Sequence, residues 1–115
     1  MWNHILNFFV NRDLDERNQR VELTHRLIAI LEDASIPVLN GPTHDQALRD
    51  ARTAILENLA RPETASFSEE VVKPFGDEGV VVAGLARSPN PQGEEIENRF
   101  IVAISNDRRV LHVEI

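Results

Sequence analysis

The side chains of this chain best suited to chemistry are four histidines, at positions 4, 25, 44 and 112, and an excess of carboxylates. A histidine beside an acid can serve as a general base with an orienting partner, and His44-Asp45 is the one such adjacent pair. Both residues follow Thr43 at the start of an apolar periodic segment, where capping of a helix N-terminus is the expected role. His112 alternates with Leu111 and Val113, which puts it on the outward or second face of a strand. Asp13, Asp15 and Glu16 offer oxygen ligands for a hard cation but lack the glycine and further ligands of a calcium loop. They read instead as the acidic first turn of a helix. No phosphate-binding glycine loop, nucleophile elbow or paired-histidine metal motif occurs in the sequence. With no cysteine there is no thiol nucleophile, no thiolate zinc site and no sign of an oxidising compartment. The expectation is a protein that is not an enzyme and holds neither cofactor nor metal.

Chemistry of any kind needs a frame to position it. A chain of 115 residues, 42% apolar, can bury one core without disulfides or metal. Nineteen acidic against twelve basic residues give a formal charge of −7, which disfavours direct binding to phosphate backbones. Lys73 is the only lysine. The N-terminal stretch MWNHILNFFVNRDLDER has a short apolar run broken by Asn3, His4 and Asn7, followed by Arg12 and Asp13. It lacks the order of a secretory signal, and nothing approaches the roughly 18 apolar residues of a membrane span. A cytoplasmic protein that keeps its first residues, with no membrane partner, is expected.

The first half of the chain has helical periodicity. Trp2, Ile5, Leu6 and Phe9 recur on one face of a short helix, with Phe8 off that stripe. That face is expected to pack on the domain's own sheet; a homodimer seam or a partner groove is the alternative use of Trp2, Ile5, Phe8 and Phe9. Asp13 is placed to cap a second helix whose stripe is Leu23, Leu27, Ile30, Leu31 and Ala34. Pro37, Gly41 and Pro42 break it. Thr43 with Gln46 matches a capping box for a third helix, with Ala47, Leu48, Ala51, Ile55 and Leu59 inward and Pro62 at its end.

After Phe67 the period is two. Segments 69–75, 79–86, 99–105 and 108–115 are rich in valine and isoleucine and read as strands, with Pro74 marking the first as an edge or bent strand. Residues 87–95 form a long loop. A two-residue turn at Asn106-Asp107 would set Val102 opposite Leu111, Phe100 opposite Val113 and Arg99 opposite Glu114. The expected fold is a single α+β domain over residues 1–115, with a helical half (1–62) and a sheet half (67–115). Two or three N-terminal helices pack on one face of a four-stranded antiparallel sheet.

Between the halves lies Pro62-Glu63-Thr64-Ala65-Ser66-Phe67. Pro62 stops a helix, Thr64 and Ser66 can bond turn backbone, and Phe67 can anchor the start of the sheet. Together with GVVVAGLARSPNPQGEE and RFIVAI, this corner resembles a group of small bacterial proteins and domains with no established activity. Their pattern runs Pro-acid-Ser/Thr-Ala-x-Phe, a Val-rich strand ending in Gly, an Asn-containing loop with Gly, and an aromatic-led last stretch. The resemblance spans about residues 54–104 and assigns Pro62, Glu63, Thr64, Ala65, Phe67, Gly84, Asn90, Gly93 and Phe100 to those positions. Ala83 stands where the pattern often has cysteine, and Glu94-Glu95 where it has Gly and an aromatic. By size, charge and lack of cysteine the chain is also similar to phage-encoded inhibitors of host defence, anti-CRISPR proteins included.

The functional expectation follows from charge. Glu69, Glu70, Asp77, Glu78, Glu94, Glu95 and Glu97 lie in one stretch with only Lys73 and Arg87 as basic residues. They are read as an acidic face that docks on a basic protein, one that itself holds nucleic acid. The alternative is a ligand or enzymatic pocket between helices and sheet, with Arg87, Asn90 or His112 projecting into it; a third is a structural homodimer through the N-terminal helix. Deleting residues 1–10 should lower the melting temperature or dissociate a dimer, since an apolar helix face must be covered. Light scattering and thermal melts of the truncated chain check this, and an unchanged mass and melting curve would refute it.

Overall fold

The computed structural model describes residues 19–59 and 61–115. The expectations for Trp2, Ile5, Phe8 and Phe9 and for Asp13, Asp15 and Glu16 lie outside them. A helix over residues 19–32 (α1) is followed by α2 (Pro42–Leu56), a 3-10 turn (Pro62–Thr64) and four strands: β1 (Ser66–Phe75), β2 (Gly79–Pro89), β3 (Glu95–Ser105) and β4 (Val110–Glu114). The strands form one antiparallel sheet in the order β1-β2-β3-β4. The fold is α+β.

Side chains alternate faces along a strand. Val82, Phe100, Val102 and Ile104 build one core with Ala47, Ala51, Ala54 and Ile55 of α2. Val81, Ala103 and Phe75 build a second core with Leu27 of α1, flanked by Leu23, Ile30 and Leu31. Val81 and Val82 are neighbours, so the two helices cover opposite faces. This corrects the expectation of helices on one face: the domain has three layers. The physical reason is in the strands, where Val80-Val81-Val82 and Ile101-Val102-Ala103-Ile104 are apolar on both sides and demand cover on both.

Residues 33–41 carry the chain around the outer edge of β1 from one face to the other, and the Leu39 N–H donates to the Val72 carbonyl at 2.8 Å on the way. Pro74, two residues on, faces the same edge, where its missing N–H costs no ladder bond. β1 is therefore an edge strand, as its proline implied. On the α1 face of β1, Lys73 is 6% exposed and donates from Nζ to the carbonyls of Ile30 (3.3 Å), Leu31 (3.1 Å) and Asp33 (2.8 Å). The lone lysine thus caps the C-terminus of α1, satisfying carbonyls that have no helical partner and meeting the negative end of the helix dipole. The helix ends at residue 32, so Ala34, expected on its stripe, is exposed in the turn beyond.

Several boundaries differ from the sequence pattern. α2 starts at Pro42, whose lack of an N–H suits the first helical position, and Gly41 is the N-cap with φ 83°. Thr43 is therefore inside the helix, and neither its capping box nor a His44-Asp45 cap forms. α2 ends at Leu56, before Pro62, and Asn58 Nδ2 donates back to the Ala54 carbonyl at 2.8 Å. The β2–β3 loop is only residues 90–94. Asn90 organises it, its Oδ1 accepting from the N–H groups of Gln92 (3.0 Å) and Glu94 (2.9 Å), and Gly93 takes φ 85°.

The last hairpin has a three-residue turn, Asn106-Asp107-Arg108, because Arg108 adopts φ 67° and donates its N–H to Ser105 O at 3.0 Å. A further shift between Ala103 and Ile104 brings Val113 opposite Val102, Glu114 opposite Ile101 and Val110 opposite Ile104. The expected pairs are thus displaced by two residues, which preserves the facing of Val113 but leaves Leu111 unpaired and 42% exposed.

At the corner, Pro62 opens the 3-10 turn and Thr64 Oγ1 donates to Arg61 O at 3.2 Å. Phe67 meets Phe100 edge-on at 5.9 Å, and the Arg52 guanidinium lies 5.6 Å from the Phe67 ring centre. Gly84 makes room beneath: a Cβ there would lie 3.0 Å from Phe100 Cζ and 3.1 Å from Glu70 Cγ. Phe67→Ala should cost about 2–3 kcal/mol, less than the ~3–5 of a fully buried ring because Phe67 is half-buried. Lys73→Met keeps the apolar stem but leaves three carbonyls unanswered, and should cost about 2–3 kcal/mol. Urea denaturation measures both; a wild-type midpoint in either variant removes the corresponding anchoring role.

Candidate functional site

α1 crosses its face of the sheet obliquely. Its first described residues (Arg20, Val21, Thr24, His25) lie beside β4, and Arg26 lies over Phe75 of β1, 4.9 Å from the ring centre. Beyond Leu31 no described residue covers the face. There a cleft of 430 Å³ has a floor of Ala83, Leu85 and Ile101 and an apolar wall of Ile28 and Leu31. Glu32, Glu69 and Arg99 stand around it. Glu69 is held at φ 52° by the irregularity between Ser68 and Val71. Bulges of this kind re-aim side chains beside binding sites. Further along the same face Arg87 lies opposite Glu97, joined at 2.9 Å, and Pro89 opposite Glu95.

The seven acidic residues do not share one surface. Glu69, Glu95 and Glu97 lie on the α1 face with the cleft, and Glu94 is in the loop at its end. Glu70 is turned to the opposite face, its side chain 10% exposed and bound by both Arg52 Nε (2.8 Å) and Arg52 Nη2. Hydrogen bonding to Glu70 raises the Arg52 pKa further above its ordinary value. Asp77 and Glu78 lie in the β1–β2 turn, at the other end of β2, an 11-residue strand. There the Asp77 carbonyl accepts from Asn106 Nδ2 at 2.6 Å and Glu78 approaches Arg26 at 3.8 Å. Sequence adjacency concealed this dispersal, because the irregularity between Ser68 and Val71 turns Glu69 to the cleft and Glu70 to the opposite face.

A second groove, of 740 Å³, runs between α1 and β4. In it His112, placed on the α1 face, contacts Thr24 Oγ1 at 3.1 Å and Glu114 Oε2 at 3.2 Å. Hydroxyl, imidazole and carboxylate suggest a nucleophile relay, but both partners meet the same ring nitrogen, Nε2. A relay needs the acid and the nucleophile on different nitrogens. The Thr24 contact, 88 positions away in sequence, had no signal short of the fold. His44 Nδ1 and Asp45 Oδ1 are 3.0 Å apart on the exposed start of α2, and Arg108 pairs with Asp50 at 2.9 Å. That bond holds the Asp50 carboxyl below its ordinary value. Of the residues expected in a ligand pocket, Arg87 is committed to Glu97 and Asn90 to its own loop.

Among the described residues no cluster of three metal-ligating side chains occurs, and no helix is long and apolar enough to cross a membrane. Comparison of the chain with protein-family models, with curated proteins and with solved structures gives no match.

Proposed function

We propose that this protein is a non-enzymatic, cytoplasmic binding module that docks the open part of its α1 face on a basic protein. The partner class is a protein whose basic surface ordinarily holds nucleic acid, and the docking is inhibitory, in the manner of phage-encoded inhibitors such as anti-CRISPR proteins. The observation that carries this reading is the cleft itself: an apolar floor of Ala83, Leu85 and Ile101, open to solvent and flanked by Glu32 and Glu69, with Glu95 and Glu97 further along the same face. An apolar centre with charges at its rim is the anatomy of a protein interface. A basic partner would be steered there by the overall charge of −7. The Nε2 geometry of His112 supports the non-enzymatic side of the reading.

The face that docks is narrower than the full acidic set. Glu70 belongs to the fold, and Asp77 and Glu78 lie at the other end, so their reversal serves as a control. Glu69, Glu94 and Glu95 are exposed, and replacing all three by lysine should abolish partner capture from the source cell while leaving the melting temperature unchanged. Capture by the wild type should weaken with salt, since exposed charges are screened over about 8 Å at physiological ionic strength. Asp77→Lys with Glu78→Lys should capture the partner normally. Capture by the triple variant, indifferent to salt, would overturn the proposal.

A further inference from the structure

The two edges of the sheet are treated differently. β1 is closed by the Leu39 N–H and by Pro74, while both edge strands carry an irregularity, at Glu69 in β1 and at Leu111 in β4. The outer edge of β4 makes no backbone hydrogen bond among the described residues. Its apolar side chains are exposed as well: Val110 by 46%, Leu111 by 42% and the adjoining Ile115 by 48%, with Val21 of α1 (53%) lining the same groove as Leu111. Such an edge is a template for another strand.

We propose that β4 is the seam through which two copies of this chain associate, their strands antiparallel about a two-fold axis near Leu111-His112. Charge selects this occupant. The segment begins basic, with Arg108 and Arg109, and ends acidic, with Glu114. Antiparallel pairing sets Arg109 of each copy against Glu114 of the other, whereas parallel pairing would set like against like. The faces agree. Arg109, which accepts from the Ser105 N–H, and Glu114, opposite Ile101, both lie on the α1 face. Val110, opposite Ile104, and Val113, opposite Val102, lie on the α2 face and meet each other across the axis. A two-fold contact of this kind is self-complementary and closes on itself, giving an eight-stranded sheet and no fibre.

Five strand residues bury less than the roughly 1,200 Å² of a stable interface, so the groove lined by Val21, His25 and Leu111 extends the contact. The dimer is accordingly weak and concentration-dependent. Sedimentation equilibrium of the full chain should show the mass rising from 13.0 kDa toward twice that value as concentration increases. Arg109→Glu and Glu114→Arg should each raise the dimer Kd by about tenfold or more, and the two together should restore it, because the swap exchanges the signs across the axis. Within one chain Arg109 approaches Asp107 at 3.3 Å and Glu114 approaches His112 at 3.2 Å, but both side chains are exposed and such surface pairs contribute little, so thermal melts of the variants should stay close to the wild type. A chain still monomeric at about 1 mM, the range of the weakest specific contacts, would overturn the proposal. So would a dimer indifferent to both single variants, including one lost only on deletion of residues 1–10, which would assign the seam to the N-terminal segment.

Discussion

The bonds from Lys73 Nζ to three carbonyls at the end of α1 are the constraint on which the layer arrangement rests. The ammonium group of a lysine only 6% exposed would be costly if it were unpaired. Here it answers the backbone acceptors that any helix leaves open at its C-terminus, so two potential liabilities offset each other. Because Lys73 neighbours Val72 in β1, and Val72 points to the other core, this attachment also decides which face α1 occupies. The turn that follows is tied locally: Asp33 Oδ1 accepts from Ser35 Oγ at 2.6 Å and from the Ser35 N–H at 2.9 Å. Those bonds hold the Asp33 carboxyl below its ordinary value, with Lys73 adding a smaller effect in the same direction.

Much of the fold was legible in local pattern. The stripe Leu23, Leu27, Ile30 and Leu31 did become the buried side of a helix, four strands follow one another antiparallel, and Pro74 does mark an edge. What local pattern could not carry was the division of the helices between two faces. A valine-rich strand reads the same whether it is covered once or twice; the second cover is a tertiary fact. Boundaries failed for smaller reasons. Pro42 reads equally as a breaker and as a first helical residue, and Arg108, which has no glycine-like freedom, nevertheless takes a positive φ that lengthens the final turn.

The candidate site was less legible than the fold. Seven carboxylates in one segment suggested one surface, but charge counted along the sequence ignores which face each residue takes. Glu69 and Glu70 illustrate the separation. The first is exposed at the cleft, while the second is held by Arg52 beneath Phe67. A charge that braces the fold in this way cannot also be offered to a partner without leaving Arg52 unanswered. The acidic surface left exposed is consequently smaller than the composition implies, and part of it, at Glu69, adjoins the apolar floor of the cleft.

The two grooves on the α1 face have a common origin. Among the described residues one oblique helix lies on this face, too little to cover a sheet whose central strands are 11 residues long, about 33 Å or more at the usual rise per residue. Among the described residues α1 leaves an opening on each side, toward Leu85 and Arg99 and toward Leu111 and His112. On the other face Ala47, Ala51, Ala54 and Ile55 of α2 are buried against Val82, Phe100 and Val102. Among the described residues, then, the α2 face carries the larger core, and the α1 face keeps apolar side chains such as Val21 and Leu111 exposed. Such surface is a liability in a monomer unless something occupies it. The opening beside Glu69 is lined by carboxylate, whereas the opening along β4 adjoins a strand edge that, among the described residues, makes no backbone hydrogen bond.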